Sequence, residues 1–338
     1  MRPEDLLRPS AQGLYCPIGD FHVDPTRAVP RAIITHAHSD HARAGHHHVL
    51  ATAETLDLMA LRLGPNFAGA RQPLRYGERL EVNGVSVSLH PAGHVLGSAQ
   101  VRLEKDGLVV VVSGDYKDVA DPTCAPFEPQ RCHVFVSEAT FALPVFRHSD
   151  AAGEVAKLLS SVALFPERTH LVGAYSLGKA QRLMALLRAQ GYGAPLHLHA
   201  ALRPTTEYYA SHGVDFGPLN PVENAAGKEL AGAIVIAPPM AMTDIWARRF
   251  PNPMTCFASG WMRVRARARQ RGVELPLVIS DHADWDGLCA SILATGCEQL
   301  WVTHGAEDAL VRWAALRQLD ALPLRLVGYG DTAQTADI

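Results

Sequence analysis

The chain lacks an excess of either charge. Its 31 Lys and Arg residues nearly balance 34 Asp and Glu, for a formal net charge of -3. No global positive field draws nucleic acid in, so any polyanion must be held by a local patch. Cysteine is sparse. The six, at 16, 124, 132, 256, 289 and 297, form no C-x-x-C pair and no regular framework, as expected of reduced thiols in the cytoplasm. No apolar run approaches transmembrane length, and the opening "MRPEDLLRPS" lacks the basic-then-apolar layout of a signal peptide, so no membrane association is expected. Internal repeats and low-complexity tracts are also missing. What remains is an ordinary globular composition, 48% hydrophobic and 19% charged, and 338 residues suit one large or two moderate domains.

Histidine, by contrast, is plentiful at 17 residues, and its placement is informative. In "AIITHAHSDHARAG" an apolar strand runs straight into His36, His38, Asp40 and His41. Imidazoles and a carboxylate gathered at a strand end suit a borderline divalent ion, zinc or manganese. The alternation sets His36 and His38 on one side, while Asp40 and His41 begin the next turn and face a neighbouring point. A second ion then needs ligands from elsewhere. His94 in "HPAGHVLGSAQV", Asp115 in "VVVVSGDYKD" and His304 in "LWVTHGAED" all lie close behind apolar runs, each with a glycine beside it. His46, His47 and His48 fall in what reads as a polar, solvated loop.

The first part of the chain reads as short strands, with a hairpin at Lys105-Asp106-Gly107. From about residue 150 the texture becomes helix–strand alternation: "AAGEVAKLLSSVAL" and "LGKAQRLMALLRAQG" carry helical spacing around the strand "THLVGAYS", and Gly191 is a stop signal. Later come the strand "PMTCFASGW", helices from Trp285 and across "EDALVRWAALRQL", and a last strand "LRLVGYG". Proline-rich turns near Pro144 and Pro251–Pro253 border a candidate insert at 146–255, with 1–145 and 256–338 forming the other lobe. Asp284 reads as the N-cap of the Trp285 helix. In "WMRVRARARQRG", arginines at 263, 265, 267, 269 and 271 recur with a period of two, which would line one face of an extended segment as a phosphate track. Alternatively this is a solvated surface run. Ser176, Gly178 and Lys179 in "SLGKAQ" stand at a helix start, equally suited to a phosphate or to plain helix initiation.

These residues resemble the metallo-β-lactamase superfamily, and "PAGHVLGSA" is especially similar to its β-CASP nuclease branch. The resemblance implies an α/β fold: an αββα sandwich with an inserted β-CASP α/β domain. It implies that His36, His38 and His94 hold one metal, that Asp40, His41 and His304 hold the other, and that Asp115 bridges them. Asp24 in "HVDP" matches the aspartate that orients the ligands. Glu138 in "SEATF" and His282 in "SDHAD" match two further β-CASP motifs; Glu138 taken alone could merely cap a strand end. The implied activity is hydrolysis of phosphodiesters by two divalent ions, zinc or manganese, with His282 as general acid and Glu138 holding its imidazole.

Closer likeness of "FASGWM", "SDHADWDGL" and "VTHGAEDALVRW" to bacterial DNA exonucleases linked to an ATP-dependent DNA ligase implies a single-stranded DNA substrate attacked from 5′ ends, in DNA repair. His304 argues the other way, because a final histidine accompanies RNA cleavage more often in this branch. An RNA-processing nuclease is therefore the alternative. A catalytically inactive nucleic-acid-binding scaffold is a third reading, against which the intact ligand set speaks.

Overall fold

In a computed structural model of the chain, residues 1–224 and 227–324 are described. They divide into two compact units: Met1–Pro144 with the segment from His282 onward, and Val145–Asp281.

The first unit contains two sheets. One has six strands in chain order, from Arg8–Ser10 to Ala68–Pro73. The other has seven, in the spatial order Asp320–Pro323, Gln299–Gly305, Val134–Ala139, Leu108–Val112, Ala99–Lys105, Val85–Pro91 and Arg79–Val82. Phe21, Val23, Ile33 and Leu50 of the first sheet share one buried cluster with Val87, Leu89, Val101, Val110, Val136 and Trp301 of the second. On the second sheet's other face, Val111, Phe135, Leu300 and Val302 pack with Trp285, Leu288 and Ile292 of the helix Trp285–Thr295 and with Leu310 and Trp313 of the helix Glu307–Ala315. Strand Val134–Ala139 is buried throughout because both its faces are covered.

Several local expectations hold. Asp106 and Gly107 both take positive φ, 46° and 83°, as a two-residue hairpin turn between adjacent antiparallel strands requires. Helices span Ala151–Leu164, Lys179–Ala189 and Trp285–Thr295, and the Asp284 carboxylate caps the last by accepting from the Gly287 amide at 2.9 Å.

Three readings are corrected. His46–Ala51 is a strand, not a polar loop; His46 is buried, and its Nδ1 accepts from the Val29 amide at 3.3 Å. The arginine run is not extended: Gly260–Arg263 is a 3₁₀ turn and Arg265–Gln270 an α-helix, so a period of two scatters the guanidinium groups around an axis. The border expected at 255 also moves. Strand Met254–Ala258 pairs in parallel with His170–Gly173, which keeps it and the chain to Asp281 in the second unit. The expected last strand "LRLVGYG" lies, apart from Leu324, outside the described residues.

The second unit is a fully parallel six-stranded sheet, in the order Leu219–Pro221, Leu196–Leu198, Ile234–Ala237, His170–Gly173, Met254–Ala258, Leu275–Leu277. Its central strands Ile234–Ala237 and His170–Gly173 are wholly buried, the pattern of parallel strands covered on both faces.

Candidate metal centre

Strands Leu108–Val112, Val134–Ala139 and Gln299–Gly305 run parallel, so Asp115, Glu138 and His304 emerge at one end of the sheet. Strand Arg31–Ile33 of the other sheet likewise ends just before His36. His304 is aimed by a defect in pairing. Glu138 faces Thr303 and Ala139 faces Gly305, so His304 is the extra residue of a bulge, with φ of 56°. Gly305 is required beside it: a Cβ there would stand 2.1 Å from the Ala139 carbonyl oxygen.

Four groups, His36, His38, His94 and Asp115, offer ligand atoms all within 4.8 Å of one another; Asp40, His41 and Asp115 form a second such set. Asp115 belongs to both. Its Oδ2 is 3.5 Å from His36 Nε2 and its Oδ1 is 3.4 Å from His41 Nε2. His38 Nδ1 lies 3.1 Å from His36 Nε2 and 2.9 Å from His94 Nε2. The rings of His41 and His304 have centroids 5.0 Å apart.

Asp24 sets the orientation of two imidazoles. Its Oδ2 accepts from His41 Nδ1 at 2.7 Å and from the Thr35 hydroxyl at 2.6 Å, while Oδ1 accepts from the Thr35 amide at 2.8 Å. His36 Nδ1 in turn sits 3.1 Å from the Thr35 hydroxyl oxygen. With their Nδ1 protons so engaged, His36 and His41 turn the lone pairs of Nε2 toward Asp115, the tautomer a metal ligand needs. Sequence reasoning missed Thr35. A hydroxyl at a strand end carries no signal of its own until Asp24 is seen beside it.

The charge balance fits a cation. Burial, then His41 and the other imidazoles around it, holds His36 well below the ordinary imidazole value against the opposing charge of Asp115. Burial, then the charge of His41, pushes His304 down to about 4. Burial would also lower His41, but Asp115 and Asp40 outweigh it and raise this imidazole well above its usual value. Asp115 stays ionised against its own burial because His41 and His282 face it. Neutral His36 and His304 beside ionised carboxylates are donors for a divalent metal, and a cation bound there would displace the extra proton that Asp115 and Asp40 hold on His41, so these residues fit one.

Beside the two sets, His282 Nδ1 lies 2.9 Å from Glu138 Oε2 and 3.1 Å from Oε1. Glu138 Oε1 also accepts from the Tyr116 amide at 2.8 Å. The His282 and His94 rings have centroids 4.6 Å apart. Tyr116 was invisible to sequence reasoning because it acts through its backbone.

The expected phosphate contacts lie in the second unit. Lys179 is buried, 3.2 Å from Asp281 Oδ1 and 4.8 Å over the Tyr175 ring, so its ammonium faces inward rather than to a surface phosphate. The Gly178 amide donates to Gln181 Oε1 at 2.9 Å, leaving Ser176 half-buried before the helix. Arg263, Arg265 and Arg269 are exposed, whereas Arg267 stacks over Trp261 at 3.9 Å.

No family model matches the chain. Among curated proteins it is 28% identical, over 92% of its own length and 30% of the other's, to the "Probable DNA ligase" of Opitutus terrae. It is 29% identical to "Ribonuclease TTHA0252" of Thermus thermophilus, over 52% of this chain and 46% of that protein. Against "Cleavage and polyadenylation specificity factor subunit 3" of Dictyostelium discoideum the identity is 30%, over 41% of this chain and 18% of that one. The chain thus spans less than half the length of these relatives. A solved protein of unknown function from Enterococcus faecalis V583 shares the fold, with a TM-score of 0.56 over 81% of this chain and 75% of that one at 13% identity. Paired sheets with a histidine–aspartate cluster at their strand ends agree with the metallo-β-lactamase resemblance. The named ribonuclease and cleavage-factor relatives match the β-CASP resemblance read from the sequence.

Proposed function

We propose that the chain is a two-metal phosphodiesterase, a DNA exonuclease working on single strands from 5′ ends in cytoplasmic DNA repair. The observation that carries the reading is the convergence of the two ligand sets on Asp115, with the Glu138–His282 pair alongside. The architecture belonging to this reading is an αββα sandwich carrying an inserted β-CASP domain. His36, His38 and His94 would hold one ion and Asp40, His41 and His304 the other, with Asp115 offering its carboxylate to both sets; zinc and manganese both suit these donors.

When bound, the ions supply Lewis acidity toward a phosphoryl oxygen and acidify water near neutral pH. The chain's own residues do the rest. Asp24 and Thr35 keep the imidazoles of His36 and His41 turned inward. Glu138 accepts a hydrogen bond from Nδ1–H of His282, so the protonated ring presents its other proton, at Nε2, to the departing sugar oxygen. The Tyr116 amide pins the carboxylate and keeps that ring from swinging. Exposed Arg263, Arg265 and Arg269 meet phosphates; Ser176, Gly178 and Lys179 act by shaping the turn that starts their helix.

DNA is favoured over RNA by the length of the match, 92% of the chain against the ligase-named relative and 52% against the ribonuclease from Thermus. The same relative supports action alongside an ATP-dependent DNA ligase. The test is digestion of 5′- and 3′-labelled DNA and RNA strands in manganese and in zinc. Release of short products from the 5′ label of DNA supports the reading. Faster loss of RNA makes the chain an RNA-processing nuclease, and no cleavage of either with metal bound makes it a scaffold.

A further inference from the structure

The helix Ala53–Leu63 provides none of the seven ligands, yet it touches both loops that carry five of them. At its last turn, Arg62 Nε donates to the Ala37 carbonyl at 3.1 Å, and Nη2 donates to the Ala42 carbonyl. Those two carbonyls bracket the turn bearing His38, Asp40 and His41, a turn closed by the Ala42 amide on the His38 carbonyl at 2.8 Å. At the helix start, the Gly97 carbonyl lies 2.7 Å from the Thr52 hydroxyl and 3.0 Å from that of Thr55. Gly97 closes on the helix so tightly that a Cβ would stand 2.6 Å from the Glu54 Cβ and 2.8 Å from the Thr55 amide nitrogen. Its φ of 78° excludes most side chains as well. The grip reaches His94, because the His94 and Val95 amides donate to the Ser98 hydroxyl at 3.1 and 3.2 Å and make residues 94–98 one rigid turn.

We propose that this helix is a splint setting the separation of the two ligand loops, with Arg62 a positioning residue for the metal centre. The inference rests on the metal-centre reading above. Arginine suits the task because its planar fork spans two carbonyls at once, which a single ammonium cannot do. The two ends of the splint then have different consequences. Arg62 governs the turn that serves both ions, whereas Thr52 and Thr55 govern only the His94 loop, which serves one.

The test is calorimetric titration of zinc into the chelator-stripped full chain, alongside apo melting curves. Arg62→Ala should weaken both binding steps at least tenfold, Arg62→Lys less, and Thr55→Val only one step, with apo melting temperatures close to wild type. Should Arg62→Ala fail to fold, Arg62→Lys decides: affinity equal to wild type in both steps overturns the proposal. So does Arg62→Ala binding two ions as tightly as wild type. A wild-type chain that takes up no ion overturns the metal-centre reading and this one with it, which separates the two failures.

Discussion

Glu138 Oε2 stands 2.9 Å from His282 Nδ1, a contact between residues 144 positions apart. It joins the end of a buried strand to the point where the chain re-enters the first unit. Its chemical consequence is a division of labour that mutation can expose. His282→Ala should retain the full metal content and lose about 10²–10⁴-fold in rate on DNA. On a phosphodiester with an acidic phenol as leaving group the loss should largely vanish, because that group departs without a proton. Equal losses on both substrates would remove His282 from the role of acid. Glu138→Gln should move the alkaline limb of the rate–pH profile to lower pH, because the imidazolium loses its anionic partner, while leaving metal content alone.

Asp115 contributes to both ligand sets, and His38 to one. Asp115→Asn should therefore abolish uptake of both ions and turnover together. His38→Ala should strip the first ion, leave the set of Asp40 and His41 able to hold the other weakly, and still cost essentially all activity. Metal content by elemental analysis after dialysis reads the difference. Retention of two ions by Asp115→Asn would show that the carboxylate does not bridge.

The site was legible in the sequence to the extent that single residue types announce themselves. His36, His38, Asp40 and His41 are crowded into six positions, and His94, Asp115 and His304 each lie close behind an apolar run. What was not legible depends on backbone. The bulge that aims His304, the Tyr116 amide that holds Glu138 and the Thr35 hydroxyl between Asp24 and His36 are products of register and turn geometry, which no residue type encodes alone. The arginine run misled for a related reason. A two-residue period is the mark of a strand only when apolar residues alternate with it, and Val264, Ala266 and Ala268 are too small and helix-tolerant to enforce one. His46 misled oppositely, since a polar triplet can pair as a strand when its backbone is taken up on both sides.

The helical arginine segment leads to a graded prediction. Arg263, Arg265 and Arg269 are exposed, while Arg267 is engaged with Trp261. Alanine at each of the first three should weaken single-stranded DNA binding and lower the salt slope by ~0.7 for each phosphate no longer neutralised. Arg267→Ala should act mainly on stability, because removing the guanidinium from the indole face costs about 0.5–2 kcal/mol. Fluorescence anisotropy across a salt series separates the effects. An unchanged slope in the triple variant would leave this helix a solvated surface.

Glu154 provides the pH dependence of the second unit. Its carboxylate accepts from the Val278 amide at 2.9 Å and the Ser149 hydroxyl at 2.8 Å, and it pairs with Lys157, so it ties the helix Ala151–Leu164 to the chain beyond strand Leu275–Leu277. Burial alone would raise its pKa, but Lys157, the Val278 amide and Ser149 together hold it below the ordinary value of 4.5. A carboxylate with a depressed folded-state pKa contributes stability that is present above about 4.5 and disappears as the pH falls through the lower folded value. Wild type should therefore lose melting temperature between pH 5 and 3 more steeply than Glu154→Gln. The variant should start lower at pH 7 by about 1–3 kcal/mol, because the Lys157 ammonium and the Val278 amide lose a charged partner. The two curves should converge in acid, where both side chains are neutral. Curves that stay parallel across the whole range would show that the Glu154 charge does not hold these two segments together.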